Sequence, residues 1–245
     1  MKTNKNFITK PIISLVIPVY NGARGIRDCV NAWKNVLSEL DCEIIVIDDG
    51  SKDQTGPILD VLAQDRDYNR LRVIHQANAG HGPSIRKGYE MACGEWVFQA
   101  DSDNEIEPKY FFQLWNRRDQ ADLVLAEREN RSAGLIRQVI TAGEAMLTYL
   151  LGRTSLKDPN VPFRLIRRDR LMEFCSMIKR DEFAPNILMT LWALKKKWRI
   201  IRVRLPQNPG HQPPGTLAGR RLIAGCLSAF GGVVRLLSRS LREKR

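Results

Sequence analysis

Asp101 and Asp103, two aspartates separated by one residue, are the side chains of this sequence best suited to holding a cation. They follow the apolar segment Trp96 to Ala100, which predicts a buried strand. Alternate side chains of extended backbone point to the same face, so both carboxylates can converge on one ion. A hard divalent cation, Mg²⁺ or Mn²⁺, favours such oxygen ligands and leaves positions open for phosphate oxygens. The alternative is a solvated turn or a helix cap, and the end of a buried strand favours the metal site.

Two earlier predicted strands also end in polar residues. They are Ile12 to Val19, with Pro18, Tyr20 and Asn21 at its end, and Glu43 to Ile47, followed by Asp48 and Asp49. Ligands of open parallel sheets bind at the carboxyl ends of the strands. These strand ends are therefore the candidate ligand-binding positions of the chain.

The hydrophobic pattern predicts the elements that position these residues. After the first two strands, further strands are expected at Leu71 to Ile74, Trp96 to Ala100 and Leu123 to Ala126. Helices are expected at Ile26 to Leu40, from Pro57, at Pro83 to Ala92 and at Pro108 to Arg118. Five strands alternating with helices predict an α/β fold, a Rossmann-like and mostly parallel sheet with helices on both faces.

Beyond Gly134 the pattern changes to longer helical segments. They are Leu135 to Leu151, Arg168 to Lys179 and Pro185 to Lys197, followed by a strand at Ile200 to Leu205 and a final helix. This half is expected to complete the fold and to shape the other side of the site. We expect a catalytic domain over residues 1–217 and a basic amphipathic helix over residues 218–245.

The composition indicates a globular protein with an anionic partner. Hydrophobic residues make up 43% of the 245 residues and charged residues 27%, which argues against disorder. A net charge of +12 favours nucleic acid, a membrane surface or a phosphorylated substrate. The five scattered cysteines suit reduced thiols in the cytoplasm. No apolar run is long enough for a signal peptide or a spanning helix, so we expect the protein to stay where it is made.

Nucleic acid is the least favoured of these partners. Aromatic residues fall on apolar core patterns rather than among lysines and arginines, where they would stack on bases. These aromatic residues are Trp96, Phe98, Phe111 and Trp115. We therefore expect no nucleic-acid partner.

Four segments, in this order, resemble the family-two inverting glycosyltransferases, and within them the dolichol-phosphate mannose synthase-like and undecaprenyl-phosphate sugar transferase branch. The segments are IISLVIPVYNG (Ile12 to Gly22), EIIVIDDGSKDQT (Glu43 to Thr55), NAGHGPSIRKGYEMACGEWVFQADSD (Asn78 to Asp103) and DPNVPFRLIRR (Asp158 to Arg168). Several ordered motifs are more specific than any one of them.

The resemblance implies a GT-A fold and a donor site for a nucleotide sugar linked to UDP or GDP. It assigns binding of the base to the Asp49 carboxylate and to the backbone around Pro18 and Tyr20, with Asn21 beside them. Asp101 and Ser102 are implied to face the ribose and diphosphate, and Asp103 to be the principal metal ligand. Asp48 is better suited to closing a turn, and Tyr20 suits a half-buried core position equally well. Gly80 to Ser84 enters a helix and is either an anion site or a tight turn.

On the acceptor side the resemblance points to Arg128, Asp158 and Arg164. Arg128 matches an arginine near the donor sugar or the acceptor phosphate, whereas the nearby Arg131 and Arg137 suit a solvated surface. Asp158 and Arg164 are alternatively a loop cap and its structural ion-pair partner. Asp181 and Glu182 stand where enzymes acting on sugar hydroxyls keep a catalytic carboxylate, although two acids also suit a helix start.

The expected reaction is in-line displacement of a nucleoside diphosphate, with the metal neutralising the leaving phosphate. A sugar hydroxyl needs a base to attack, whereas a lipid monophosphate is already ionised and needs only positioning by cations. The arginines near the site favour a polyprenyl phosphate acceptor. A glycan or lipid hydroxyl is the alternative, and dependence on Asp181 or Glu182 would favour it.

The C-terminal segment suggests where such an acceptor is met. On a helical wheel, Gly219 to Arg242 gathers apolar residues on one arc and arginines on the other, as in helices that lie on anionic membranes. The alternative is packing of this apolar face on the catalytic domain. His211 to Thr216 falls where relatives carry a loop that closes over the donor, but its match is imperfect. We expect a cytoplasmic enzyme, peripheral at the inner face of the membrane.

Overall fold

A computed structural model describes residues 10–68, 70–129 and 158–208, together with residues 149, 156, 231 and 232. Its centre is a seven-stranded sheet. The strands are β1 (Ile13–Val19), β2 (Cys42–Asp48), β3 (Leu71–His75), β4 (Trp96–Gln99), β5 (Leu123–Arg128), β6 (Arg164–Arg167) and β7 (Ile200–Leu205). They lie in the order β3-β2-β1-β4-β6-β5-β7. Neighbours are parallel except at β6, which runs antiparallel to β4 and β5.

Six α-helices are described around this sheet. They are α1 (Ile26–Val36), α2 (Thr55–Gln64), α3 (His81–Met91), α4 (Phe111–Trp115), α5 (Arg168–Met177) and α6 (Pro185–Lys195). The predicted alternation of strands and helices is confirmed, and so is the strand at Ile200–Leu205. The helix expected at Pro108 to Arg118 is shorter, because 3₁₀ turns flank the five residues of α4.

The antiparallel strand β6 is the element that the sequence pattern did not predict. It has four residues, RLIR, with an arginine at each end, so it lacks the continuous apolar run of the parallel strands. Its place between β4 and β5 buries Leu165 and Ile166 completely. Pairing with two neighbours, rather than local propensity, makes these residues a strand.

Aromatic rings fill one face of the sheet. Phe98 of β4 lies 5.3 Å from Trp33 of α1, 5.1 Å from Phe111 of α4 and 4.7 Å from Phe163, measured between ring centroids. Burying a ring of this size contributes about 1.5–3 kcal/mol of transfer free energy. The other face carries α3, whose Gly88 lies directly on Val16 of β1. The sheet is thus covered on both sides, as its unbroken apolar strands require.

The strand order creates a switch point at β1. The chain moves outward from β1 to β2 and β3, then returns to form β4 on the other side of β1. In such sheets the loops after the two central strands diverge and leave a crevice at their carboxyl ends. Here the crevice opens between the loop after Val19 and the loop after Gln99.

Several expectations fall outside the described residues. These are the helix at Leu135 to Leu151 apart from residue 149, the loop at His211 to Thr216, Arg131, Arg137 and the basic helix over residues 218–245 apart from positions 231 and 232. Within the part of the chain that the structure describes, no helix combines the length and apolarity needed to cross a membrane.

Replacement of Gly88 by alanine tests the contact between α3 and β1. A Cβ at this position would lie 2.2 Å from Cγ1 of Val16. Overpacking of this kind costs about 1–3 kcal/mol, so Gly88→Ala should lower the free energy of unfolding by that amount in urea denaturation. Gly56→Ala in α2 is the control, because its Cβ would meet no atom closer than 3.4 Å. Equal stability of the two variants would contradict the tight packing.

Candidate active site

The loops that follow β1 and β2 are tied to each other by hydrogen bonds. The backbone N–H of Asn21 donates to Oγ of Ser51 at 2.9 Å, and its side-chain Oδ1 accepts from the N–H of Lys52 at 2.8 Å. The N–H of Gly22 donates to Oγ1 of Thr55 at 2.8 Å. Asn21 has a φ of 52°, which asparagine tolerates better than most residues. The structure therefore gives the Asn21 side chain a role in shaping the loop.

Pro18 and Tyr20 have different environments at the end of β1. Pro18 is buried, and its Cα pairs with that of Ile47. The backbone of Pro18, like that of Val16, faces β4. Proline has no N–H to donate, and the pairing of β1 with β4 ends at Val16 and Gln99. Tyr20 is 47% exposed. Of the two environments considered for Tyr20, the structure shows the open one, directly after the end of β1.

Asp49 fixes the loop that enters α3. Its side chain is buried and accepts from Nε2 of Gln76 at 2.7 Å, from the N–H of Ala79 at 2.9 Å and from the N–H of Gly80 at 2.8 Å. A carboxylate has about four lone-pair positions, so room remains for one more donor. The N–H of Ser51 donates to the neighbouring Asp48 at 3.0 Å, which closes the turn after β2.

The loop after β4 carries the predicted metal ligands. Oδ1 of Asp101 is buried without a hydrogen-bond partner, and Nε2 of His81 lies 3.7 Å from it. Burial raises the pKa of Asp101; His81 and Arg128 oppose the rise, while Asp103 and Glu105 add to it. A buried carboxylate oxygen without a donor costs free energy, and a bound cation would remove that cost. The donor set therefore fits a divalent metal.

Asp103 and Ser102 complete the turn of this loop. Oδ1 of Asp103 accepts from the N–H of Glu105 at 3.1 Å, and Asp103 is exposed. Oγ of Ser102 lies 4.0 Å from the position that a Cβ on Gly22 would occupy. Ser102 is thus next to the loop after β1, and its contact with a ligand stays a prediction.

Arg128 and Asp158 form a two-bonded ion pair beside this loop. Nε and Nη2 of Arg128 donate to the two carboxylate oxygens of Asp158 at 2.5 and 2.9 Å, and Nη1 donates to Oε2 of Glu105 at 2.7 Å. Burial opposes the charge of Arg128, but the bonds to Asp158 and Glu105 overcome it and raise the pKa of Arg128. The structure therefore brings together two residues that the sequence predicted for the acceptor side. Three of the five guanidinium N–H groups are used in these bonds.

Arg164 has a different environment from the one expected. It is completely buried, and it donates to the backbone carbonyls of Pro159, Val161 and Asn186. Burial lowers the pKa of Arg164 to about 10. These bonds fasten the turn after Asp158 to α6. The geometry favours a structural role, and direct contact of Arg164 with an acceptor stays a prediction.

The residues around the site carry an excess of negative charge. The acids are Asp101, Asp103, Glu105 and Asp158. Among the residues that the structure describes, Arg128 bonds two of these carboxylates, and the charge of the buried Arg164 also acts on Asp101 and Asp158. Among the described residues, no three His, Cys, Asp or Glu side chains converge closely enough to hold a metal ion by themselves. A metal at Asp101 and Asp103 would therefore need further ligands from a bound molecule or water.

The structure adds one acidic residue to the site and distinguishes two that the sequence had left equal. Glu105 was not predicted, because a single glutamate after the D-x-D segment has no periodic signal. Glu182 is 3% exposed, whereas Asp181 is exposed. A Cβ on Gly82 would lie 2.2 Å from the carbonyl oxygen of Glu182, so this segment packs on the first turn of α3. Of the two acids considered as a base, Glu182 is the one enclosed near the site.

Comparison with known proteins decides the family. Residues 14–172 match the family described as Glycosyl transferase family 2. The chain belongs to this family. The resemblance inferred from the ordered motifs is therefore confirmed.

Curated relatives match different shares of this chain. The putative glycosyltransferase EpsH of Bacillus subtilis is 40% identical over 116 residues, which cover 47% of this chain and 33% of that protein. Undecaprenyl-phosphate 4-deoxy-4-formamido-L-arabinose transferase of Proteus mirabilis is 28% identical over 182 residues, which cover 73% of this chain and 56% of that protein. The chain thus spans a third to about half of the curated relatives it matches.

Solved structures confirm the fold. Glucosyl-3-phosphoglycerate synthase of Mycobacterium tuberculosis, crystallised with Mn²⁺ and UDP-glucose, has a TM-score of 0.63 at 21% identity, covering 89% of this chain and 78% of that chain. A second mycobacterial protein has a TM-score of 0.66 at 21% identity, covering 89% and 74%. The glycosyltransferase fold expected from the sequence is the one observed.

His75, the last residue of β3, lies between the carboxylates of Asp48 and Asp60. Nδ1 is 2.8 Å from Oδ2 of Asp48, and Nε2 is 3.1 Å from Oδ1 of Asp60. The bond to Asp48 raises the pKa of His75, burial opposes the rise, and Asp60 adds to it. The pair with Asp48 therefore holds best when the imidazole is protonated.

We expect His75 to titrate above its ordinary pKa of 6.5. Its contribution to stability should be complete below pH 6.5 and should be lost as the pH rises through the raised pKa of the folded state. The difference in Tm between wild type and His75→Gln should therefore be larger below pH 6.5 than well above it. NMR titration of the imidazole gives the pKa directly, and Asp60→Asn should lower it. A pKa at or below 6.5 would show that the two carboxylates do not hold the imidazolium.

Proposed function

We propose that this protein is a metal-dependent inverting glycosyltransferase that moves a sugar from a nucleotide donor to a polyprenyl phosphate. The observation that carries the proposal is the unpartnered Oδ1 of Asp101 within a cluster of four carboxylates. This cluster lies at the switch point of a glycosyltransferase family 2 sheet, where a diphosphate and its metal would bind. The mycobacterial synthase of the same fold, crystallised with Mn²⁺ and UDP-glucose, supports this type of donor.

The donor would lie across the loops after β1, β2 and β4. The exposed ring of Tyr20 and the backbone at Pro18 offer a surface to the base, and the remaining lone pair of Asp49 can accept from a base N–H. Asp101 and Ser102 would face the ribose and diphosphate. Asp103 would be the principal metal ligand, with Asp101 beside it. Either a UDP or a GDP sugar suits these contacts, and the UDP-glucose complex of the mycobacterial synthase favours UDP.

Negative charge develops on the leaving diphosphate during displacement. A bound Mg²⁺ or Mn²⁺ would supply Lewis-acid stabilisation of that charge. The chain itself orients the reactants: Asp49 holds the loop at the start of α3, and the Asp103 turn is closed by the N–H of Glu105. Because these groups are already bonded in the free protein, little ordering is needed when the donor binds.

A lipid phosphate is the acceptor that we favour. The undecaprenyl-phosphate transferase of Proteus mirabilis aligns over 73% of this chain, into the acceptor half. An ionised phosphate needs only cations and N–H donors, and Arg128 keeps two N–H groups beyond the three it uses. We propose Asp158 as the residue that aims Arg128, and Arg164 as the residue that holds the turn of Asp158.

A lipid acceptor would place the enzyme at a membrane surface. The net charge of +12 favours an anionic surface, and we propose the inner face of the membrane. The division into a catalytic domain over residues 1–217 and a membrane-binding helix over residues 218–245 belongs to the same proposal.

A second candidate is transfer to a sugar or lipid hydroxyl. The observation that favours it is the burial of Glu182 against the first turn of α3. A hydroxyl must lose its proton during attack, and an enclosed carboxylate can take it. Glu182 would be the base in that reaction.

Donor binding can be measured by the thermal shift of the protein with UDP- and GDP-sugars, with and without Mn²⁺. A bound donor stabilises the folded state by about 2.7 kcal/mol at a concentration of 100 times Kd. We expect this stabilisation with one nucleotide class in the presence of Mn²⁺, and its loss in Asp103→Ala. Asp119→Ala is the control, because Asp119 is an exposed aspartate of a distant 3₁₀ turn. Absence of any shift in the wild type would refute the proposed donor site.

The acceptor class can be decided with Glu182→Gln, which keeps the size of the side chain and removes its charge. For a phosphate acceptor, we expect sugar transfer to undecaprenyl phosphate to continue at a rate close to that of wild type. Removal of a general base would instead lower kcat by about 10²- to 10⁴-fold. Asp181→Asn is the control on the exposed neighbour. A large loss in Glu182→Gln alone, with transfer to a hydroxyl, would establish the second candidate.

A further inference from the structure

Glu105 makes more connections between separate segments than its place after the D-x-D segment suggests. Its carboxylate accepts from Nη1 of Arg128 at 2.7 Å through Oε2, and from Nε2 of Gln207 at 2.7 Å through Oε1. Its backbone carbonyl accepts from the N–H of Asn208 at 2.8 Å. Its backbone N–H donates to Oδ1 of Asp103 at 3.1 Å. Both carboxylate oxygens and both backbone groups are therefore bonded.

These four bonds join three parts of the fold. One is the loop of Asp101 and Asp103. The second is the Arg128–Asp158 ion pair at the end of β5. The third is the segment that leaves the edge strand β7, where Leu205 pairs with Arg128. Only 19% of the Glu105 side chain is exposed, so water screens these bonds weakly.

Arg128 depends on Glu105 for its orientation. The guanidinium is shared between the two oxygens of Asp158 on one side and Oε2 of Glu105 on the other. A planar guanidinium held on two edges is fixed in both position and rotation. Loss of Glu105 would leave the Nη1 edge of a nearly buried cation without its acidic partner and would let the plane turn.

We propose that Glu105 is a positioning residue that keeps the metal-binding loop in register with the Arg128–Asp158 pair. The inference rests on the proposed function, which assigns the loop of Asp101 and Asp103 to the donor and the Arg128–Asp158 pair to the acceptor. A displacement of about 1 Å between reacting groups can cost about 10²-fold in rate. We call the Glu105 side chain with its bonds to Arg128 and Gln207 the strut. Loss of the strut should affect the rate of transfer more than donor binding, because the backbone N–H that bonds Asp103 does not depend on the side chain.

Three variants test whether Glu105 acts by positioning Arg128 and the metal-binding loop or by the charge of its own carboxylate. Glu105→Ala removes both carboxylate bonds. Glu105→Gln keeps an oxygen for Arg128, and its amide can donate to Gln207 once the Gln207 amide rotates to present its oxygen. Glu107→Ala is the matched control, a glutamate two positions along that is paired with the exposed Lys109. Thermal unfolding of all three confirms that they are folded.

Steady-state transfer, Mn²⁺-dependent donor binding and hydrogen exchange are measured on each variant. Loss of a residue that supports catalytic groups costs about 10- to 100-fold, and we expect this loss in kcat for Glu105→Ala with little change in donor Kd. Glu105→Gln should recover a kcat close to wild type. The amides of Gln207 and Asn208 should exchange faster in Glu105→Ala than in Glu107→Ala.

Two results would overturn the proposal. If Glu105→Ala had the same kcat and the same amide exchange rates as Glu107→Ala, the bonds of Glu105 would have no positioning role. Glu105→Gln as impaired as Glu105→Ala would assign the carboxylate charge a direct role at the reacting atoms. A wild type that neither binds nor uses a sugar nucleotide would instead refute the proposed function, and amide exchange at Gln207 and Asn208 would still test the strut.

Discussion

The excess of carboxylates at the carboxyl end of β4 is the constraint on which the site depends. Asp101, Asp103, Glu105 and Asp158 lie in a partly buried region with Arg128 as the counter-charge. Like charges brought together in a medium of low polarity repel each other strongly, and burial adds to the cost. The fold tolerates this arrangement because the backbone N–H of Glu105, the side-chain amide of Gln207 and the guanidinium of Arg128 donate to three of the acids. Oδ1 of Asp101 is buried and accepts no hydrogen bond, so its charge is not compensated in this way.

The rest of the sheet provides the rigidity that such an arrangement needs. β1 is buried along its whole length, and its pairing with β2 extends through Val19 while its pairing with β4 ends at Val16. The early end of the second pairing lets the chain after β4 turn away and form the crevice. On the far side, the buried Arg164 fastens the turn of Asp158 to α6 through carbonyl oxygens. A buried guanidinium with backbone partners is costly to remove, because its partners would then lack donors.

The two arginines of the acceptor side show how the same residue type serves different ends. Arg128 is bonded to acids, stays strongly basic and keeps N–H groups beyond those it uses. Arg164 is bonded to carbonyls, and burial lowers its pKa to about 10. The first is therefore suited to meeting an anion, and the second to holding backbone in place. This difference depends on the side chains that surround each arginine. Arg128 ends the apolar strand β5 and Arg164 begins β6, and neither position by itself says which partners the guanidinium will have.

The parallel strands of the sheet and the place of the D-x-D segment after a buried strand could be predicted from local sequence pattern. Runs such as Ile13–Val19 are apolar along their whole length, so their burial follows from local pattern, and polar residues at their ends follow from the same pattern. The place of β6 between β4 and β5, the strut at Glu105 and the burial of Arg164 were decided only by the tertiary structure. Each depends on contacts between residues far apart in the chain, such as Glu105 with Gln207, whereas hydrophobic periodicity reports only on near neighbours. Which strands pair in a sheet depends on packing and charge between distant segments, and a local sequence pattern does not contain that information.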